Sequence, residues 1–102
     1  DKYVSEPIRA AIFNLGYCQV LKTVDYKPDT TLVAIEKILE RLEIGGRLAI
    51  MIYYGHEGGD MEKDAVLEFI SALEQKEFAT MLYKPLNQIH QPPFLVMIEK
   101  LR

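Results

Sequence analysis

Asn14-Leu15-Gly16-Tyr17 places an amide, a permissive glycine and an aromatic ring at the end of an apolar run, Ile8 to Phe13. A side-chain amide can donate to a carbonyl or accept from an amine. In open α/β sheets, ligands bind at the carboxyl ends of the strands. Taken alone, the same tetrapeptide suits a turn by which the chain leaves a sheet, and that is the simpler reading. A second group, Tyr53-Tyr54-Gly55-His56, follows another apolar run. His56 titrates near neutrality when unperturbed and can serve as a base or a stacking surface. A histidine in a solvated, glycine-flanked loop is an equally good account of it. If the strand persists, Tyr53 and Tyr54 point to opposite faces and one of them is core. Asn87-Gln88 and Pro92-Pro93 can shape a pocket or simply stiffen a hairpin loop, and His90 reads as a surface residue of that loop. Cys18 has no basic partner nearby in sequence and reads as a small apolar residue. Cys18, His56 and His90 lack the spacing of metal ligands, so no metal site is expected. Lys22 and Lys27 read as solvated loop lysines.

The elements that must position these groups follow from hydrophobic spacing. Ile8 to Phe13 is apolar and partly β-branched, which predicts a buried strand ending at Asn14. Pro28-Asp29-Thr30-Thr31 predicts a helix start, with Asp29 or Thr30 as the cap. Leu32, Ile35, Ile38, Leu39 and Leu42 then share one helical face, and Gly45-Gly46 is expected to stop that helix. Arg47 to Tyr54, apolar on both faces, predicts a central parallel strand covered by helices on each side. Asp60 is expected to cap a second helix, with Glu62 and Asp64 near its positive dipole end and Ala65, Val66, Phe69, Ile70 and Leu73 as its buried stripe. Phe78 to Tyr83 and Phe94 to Ile98 are the remaining strands. The order is β-α-β-α-β-β. Its βα steps demand parallel strands, and a loop of roughly ten residues without room for a helix makes the last strand antiparallel.

Bulk properties narrow the class. The chain has 102 residues, 49% apolar and 26% charged, close to an average globular composition. No apolar run approaches the roughly 20 residues that span a bilayer, and no signal sequence opens the chain. One cysteine forbids an intrachain disulfide, and the cytoplasm is the expected compartment. A formal net charge of −3 argues against a free-standing nucleic-acid binder. It leaves room for an RNA-modifying enzyme whose basic surface lies elsewhere.

With the elements placed, several segments together resemble one family. They are Ala11-Ile12-Phe13-Asn14-Leu15-Gly16-Tyr17, Lys27-Pro28-Asp29-Thr30-Thr31, Gly45-Gly46, Tyr53-Tyr54-Gly55-His56, Glu62-Lys63-Asp64-Ala65, and Asn87-Gln88 followed by Pro92-Pro93-Phe94-Leu95. In order and spacing they resemble the S-adenosylmethionine-dependent rRNA methylases, a group now associated with bacterial tRNA (5-methylaminomethyl-2-thiouridine) methyltransferases. The resemblance covers almost the whole chain but only the C-terminal part of the family's domain. It implies an α/β fold: the C-terminal half of a Rossmann-like methyltransferase sheet, with residues 1–102 as one partial domain. The family follows Asn-Leu-Gly-Tyr with Leu-Pro and a glycine-rich loop, where this chain has Cys18-Gln19-Val20-Leu21-Lys22. No G-x-G-x-x-G-like segment is present, so the main cofactor site is expected on N-terminal sequence outside these residues. The chain alone is expected to bind the cofactor weakly and to be inactive.

What the resemblance implies for individual residues is specific. Asn14 orients the acceptor amine at the sulfonium methyl without taking a full charge, and Tyr17 flanks or stacks on the acceptor base; these are the expected catalytic residues. Asn14 and Leu15 border the S-adenosylmethionine. Gly16, Tyr54, His56, Asn87 and Pro93 bind substrate, which is tRNA or rRNA. No membrane partner is expected, and the open strand edge of a half sheet favours a homodimer or other edge association. Two other readings are a non-catalytic α/β interaction module and another nucleotide-dependent enzyme sharing the half-fold.

Overall fold

The structure, a computed structural model, describes residues 7–15, 28–54, 59–90 and 92–102, with residues 28–30 and 59 described in backbone only. Six elements follow one another: β1 (Ile8–Leu15), α1 (Pro28–Arg41), β2 (Leu42–Ile52), α2 (Gly59–Ser71), β3 (Phe78–Tyr83) and β4 (Phe94–Lys100). They build a four-stranded sheet in the order β1-β2-β4-β3. β1 pairs parallel to β2, with Phe13 opposite Ile50 and Leu15 opposite Ile52. β4 runs antiparallel between β2 and β3. The expected strand directions therefore hold, and the helix-free loop of residues 84–93 folds the last strand back into the gap that the β2–α2–β3 crossover leaves.

Both helices lie on one face of the sheet. Leu15, Leu48, Ile50, Ile52, Val96 and Ile98 of that face join Ile35, Leu39, Val66 and Ile70 of the helices in one buried cluster. The register explains the division. Side chains alternate across a strand, so the row Leu15, Ile52, Phe94 faces the helices while the adjoining row Asn14, Met51, Leu95, Tyr83 faces away. The other face, which carries no helix among the described residues, is apolar too: Ile12 is 79% exposed, and Met81, Ala49 and Met97 lie across the sheet from it.

Several local expectations need correction. β1 is a half-buried edge strand, not a buried one, because among the described residues it has one neighbour and one covered face. β2 is central, but its helical cover is one-sided, so Ala49 and Met51 are only half-buried. α1 ends at Arg41, four residues before Gly45, and Leu42 belongs to β2, where it is buried. The glycine pair has another task. The register jumps from Ile8 opposite Leu42 to Ala10 opposite Arg47, so the extra residues of β2 bulge outward. Gly45 takes a φ of +86° there, and a Cβ on Gly46 would lie 2.8 Å from the Glu43 carbonyl oxygen and 3.0 Å from that of Ile8. Such bulges call for glycine at the left-handed position and at the close approach. Pro28 opens α1 from inside, as its fixed φ allows. α2 starts at Gly59, so Asp60 sits in its first turn and is not the cap, and Leu73 lies beyond the helix end at Ser71.

Candidate functional site

The carboxyl ends of β1 and β2 lie side by side, and the amino ends of α1 and α2 follow them in the chain. Past the last paired residues, the Tyr53 amide donates to the Leu15 carbonyl oxygen at 3.0 Å, so the two exits are tied together. Behind them the Thr31 hydroxyl donates to Glu62 Oε2 at 3.1 Å. Both side chains are buried, Glu62 being only 3% exposed. Glu62 thus occupies the first turn of α2, as its helix-dipole preference suggests, but it points inward and joins the first turns of the two helices.

Asn14 is exposed within β1, its backbone registered against Met51. An asparagine inside a parallel ladder is not there to turn the chain, and its amide faces outward at the edge where α/β sheets bind ligands. Leu15 points the other way: its side chain is 3% exposed in the core, and its carbonyl oxygen accepts from the Tyr53 amide. β2 stops at Ile52, which ends strict alternation, and Tyr53 and Tyr54 are both half-buried. The Tyr54 ring meets Phe94 edge to face, with centroids 5.5 Å apart. The Lys63 ammonium sits 4.8 Å over the Tyr54 ring and 3.4 Å from an Asp64 carboxylate oxygen. The Lys84 ammonium lies 5.1 Å from the centre of the Phe94 ring.

A groove of about 530 Å³ runs along the same edge, with Met51, Leu95, Tyr83, Lys84 and Pro93 among its lining residues. Of the sequence-predicted residues, Tyr54 packs against Phe94, Pro93 lines the groove, and Asn14 lies in the same cross-strand row as Met51 and Leu95 of the groove. Asn87 stands apart in the exposed 84–93 loop, where its amide oxygen accepts from Gln88 at 3.4 Å; His90 is exposed in that loop, as expected. Gly16, Tyr17 and His56 lie outside the described residues, as do Cys18, Lys22 and Lys27. Lys63 and Phe94 fall within the segments Glu62 to Ala65 and Pro92 to Leu95 without a role of their own there, and Lys84 lies in no motif; their contacts with Tyr54 and with one another mark them. Among the described residues no three His, Cys, Asp or Glu side chains gather as metal ligands, and no helix is long and apolar enough to cross a membrane.

A parallel sheet finished by an inserted antiparallel strand, with an amide and aromatic rings at its carboxyl edge, is the second half of a Rossmann-like methyltransferase sheet. The chain belongs to the family described as "Putative rRNA methylase", whose model matches residues 1–99. A Streptococcus mutans "putative methyltransferase", solved in complex with SAH, is 70% identical and superposes with a TM-score of 0.86, covering 98% of this chain and 55% of that one. An rRNA methylase from Streptococcus thermophilus is 65% identical with a TM-score of 0.80, over 100% of this chain and 52% of that one. The tRNA (mnm(5)s(2)U34)-methyltransferase, chloroplastic, of Arabidopsis thaliana is 31% identical over 94 residues, 91% of this chain and 34% of that protein. The chain thus spans about half the length of these solved relatives and about a third of the plant enzyme.

Proposed function

We propose that this chain is the C-terminal portion of an S-adenosylmethionine-dependent methyltransferase that modifies an amino group of a uridine derivative in tRNA. The observation that carries the reading is Asn14. Its exposed amide stands in the ladder at the carboxyl edge of the parallel pair, on the face of the sheet opposite the Phe94 ring. The names of the relatives, an rRNA methylase, a tRNA methyltransferase and a methyltransferase holding SAH, support the class.

The described residues fit the acceptor side of such a site and not the nucleoside side. They offer an outward amide and ring surfaces, whereas a glycine-rich turn of the dinucleotide-binding pattern is missing from the whole sequence. Bound S-adenosylmethionine supplies an electrophilic methyl group. The Asn14 side-chain oxygen accepts a hydrogen bond from the acceptor amine and aims its lone pair, holding the polarising N–H as positive charge develops on nitrogen. In this reading Tyr17 is assigned to the acceptor base and Tyr54 and His56 to substrate binding. A lone cysteine suits the cytoplasm as the place of action.

The test is single-turnover methyl transfer to undermodified tRNA by the full-length enzyme. Asn14→Ala is expected to slow the step by roughly 100-fold or more while cofactor binding stays within a few-fold of wild type. A folded variant that keeps the wild-type rate removes Asn14 from catalysis.

A further inference from the structure

Two segments of the family's pattern, Lys27-Pro28-Asp29-Thr30-Thr31 and Glu62-Lys63-Asp64-Ala65, supply no group to the proposed methyl transfer. Their ends nevertheless meet, since Thr31 Oγ1 donates to Glu62 Oε2 at 3.1 Å across a separation of 31 residues. Each is the fourth residue of its helix, and the two side chains are only 4% and 3% exposed. A glutamate is almost never buried so deeply unless it is paired. Stability alone is a poor reason to keep such a pair, because well-packed apolar residues of similar volume often serve a buried junction as well or better. What a hydrogen bond adds to an apolar contact is a fixed distance and direction.

This bond fixes the entries of α1 and α2 against each other. On the strand side, the 3.0 Å bond from the Tyr53 amide to the Leu15 carbonyl oxygen fixes the exits of β1 and β2. The β1–α1 and β2–α2 connections therefore each run between two tied points. Tyr17 belongs to the first connection and His56 to the second. Both ties are made by this chain's own strands and helices, so neither depends on what covers the other face of the sheet. We propose that Thr31 and Glu62 are positioning residues of the methyl-transfer site. Their bond sets the spacing of the two helix entries, and with it the placement of Tyr17 and His56 around the acceptor base. They touch no substrate and act through the frame that carries those two side chains. This rests on the reading of the intact protein as a tRNA methyltransferase and deepens it.

The experiment sets two substitutions at one position against each other in the full-length enzyme. Thr31→Val keeps the volume and loses the hydroxyl, whereas Thr31→Ser keeps the hydroxyl and loses a methyl group. Single-turnover methylation of undermodified tRNA, at saturating tRNA and S-adenosylmethionine, is compared with Tm for each. Thr31→Val is expected to slow transfer roughly fivefold, as misplacement of substrate-positioning groups does, with cofactor affinity within about twofold of wild type. Thr31→Ser also melts below the wild type, having lost buried volume, yet keeps the transfer rate within about twofold. Glu62→Gln, which retains an acceptor oxygen, keeps most of the rate, and Glu62→Leu behaves as Thr31→Val does. If the rate simply follows Tm across these variants, or if Thr31→Val, folded by circular dichroism, keeps the wild-type rate, the pair only stabilises the fold and the proposal falls alone. If the wild-type enzyme transfers no methyl group to tRNA, the functional reading falls and takes this role with it.

Discussion

Two side chains of similar polarity are placed in opposite ways at this edge. Asn14 faces outward in the ladder, whereas Thr31 faces Glu62 behind it. A buried hydroxyl that donates to a carboxyl group is costly to remove, because the acceptor loses a partner it cannot replace from water. Thr31→Val in the intact protein is therefore expected to lower stability by about 1–2 kcal/mol, read by chemical denaturation. The carboxyl would also lose the contact that aligns the first turns of α1 and α2, so a modest fall in activity should accompany it. A variant as stable as wild type would show that the Thr31 contact carries no weight. Asn14→Ala should do the reverse, sparing stability while slowing methyl transfer, since an exposed amide contributes little to folding. Together the pair tests whether Asn14 serves the reaction and Thr31 the frame.

At the scale of elements, the bulge at the start of β2 decides whether β1 and β2 reach the edge in step. A Cβ on Gly46 would press against three main-chain oxygens, those of Glu43, Ile8 and Arg9. Backbone atoms cannot swing aside as a side-chain tip can. Gly46→Ala is expected to destabilise by roughly 2–3 kcal/mol, whereas Gly45→Ala, which has open space but a φ of +86°, should cost about 1 kcal/mol. Equilibrium unfolding of both variants gives the ranking, and a Gly45→Ala loss exceeding that of Gly46→Ala would contradict it. In the middle of the same strand, Ile50 is fully buried among both helices and β4. Ile50→Ala should cost about 2–5 kcal/mol by cavity formation.

For the molecule as a whole, surface is the informative quantity. The chain exposes 7213 Å², whereas a compact protein of 11.7 kDa exposes about 5,900 Å². Its extents of 37 × 33 × 19 Å describe a slab of one sheet and one helical layer. The helix-free face, with Ile12 and Met81 exposed, accounts for part of the excess. Exposed apolar faces favour association, and β1 and β3 have strand edges without a partner among the described residues. Residues 1–102 alone are expected to self-associate with rising concentration in analytical ultracentrifugation and to bind S-adenosylmethionine weakly or not at all by calorimetry. Micromolar affinity in these residues would relocate the cofactor site into them.

Residue type and spacing by themselves determined the order β-α-β-α-β-β, the parallel and antiparallel directions and the family, because period, loop length and local motifs are properties of neighbouring residues. Pro28, the apolar stripe through Ile35 and Leu39, and the helix-free loop before Phe94 each act within a few positions, so they are legible one after another. The division of the apolar strands between a covered and an open face was not legible. Ala49 and Met51 are as apolar as Leu48 and Ile50, and only the placement of both helices on one side separates them. The glycine pair read as a helix stop because glycine suits both tasks; its role in the bulge depends on the carbonyls of Ile8 and Arg9 on another strand. Tyr54, Lys63, Phe94 and Lys84 were likewise invisible as a group, since cation–aromatic contacts join residues 54, 63, 84 and 94 from four separate segments. Contacts over such separations exist only once the sheet has closed, and that closure is what the tertiary structure decided.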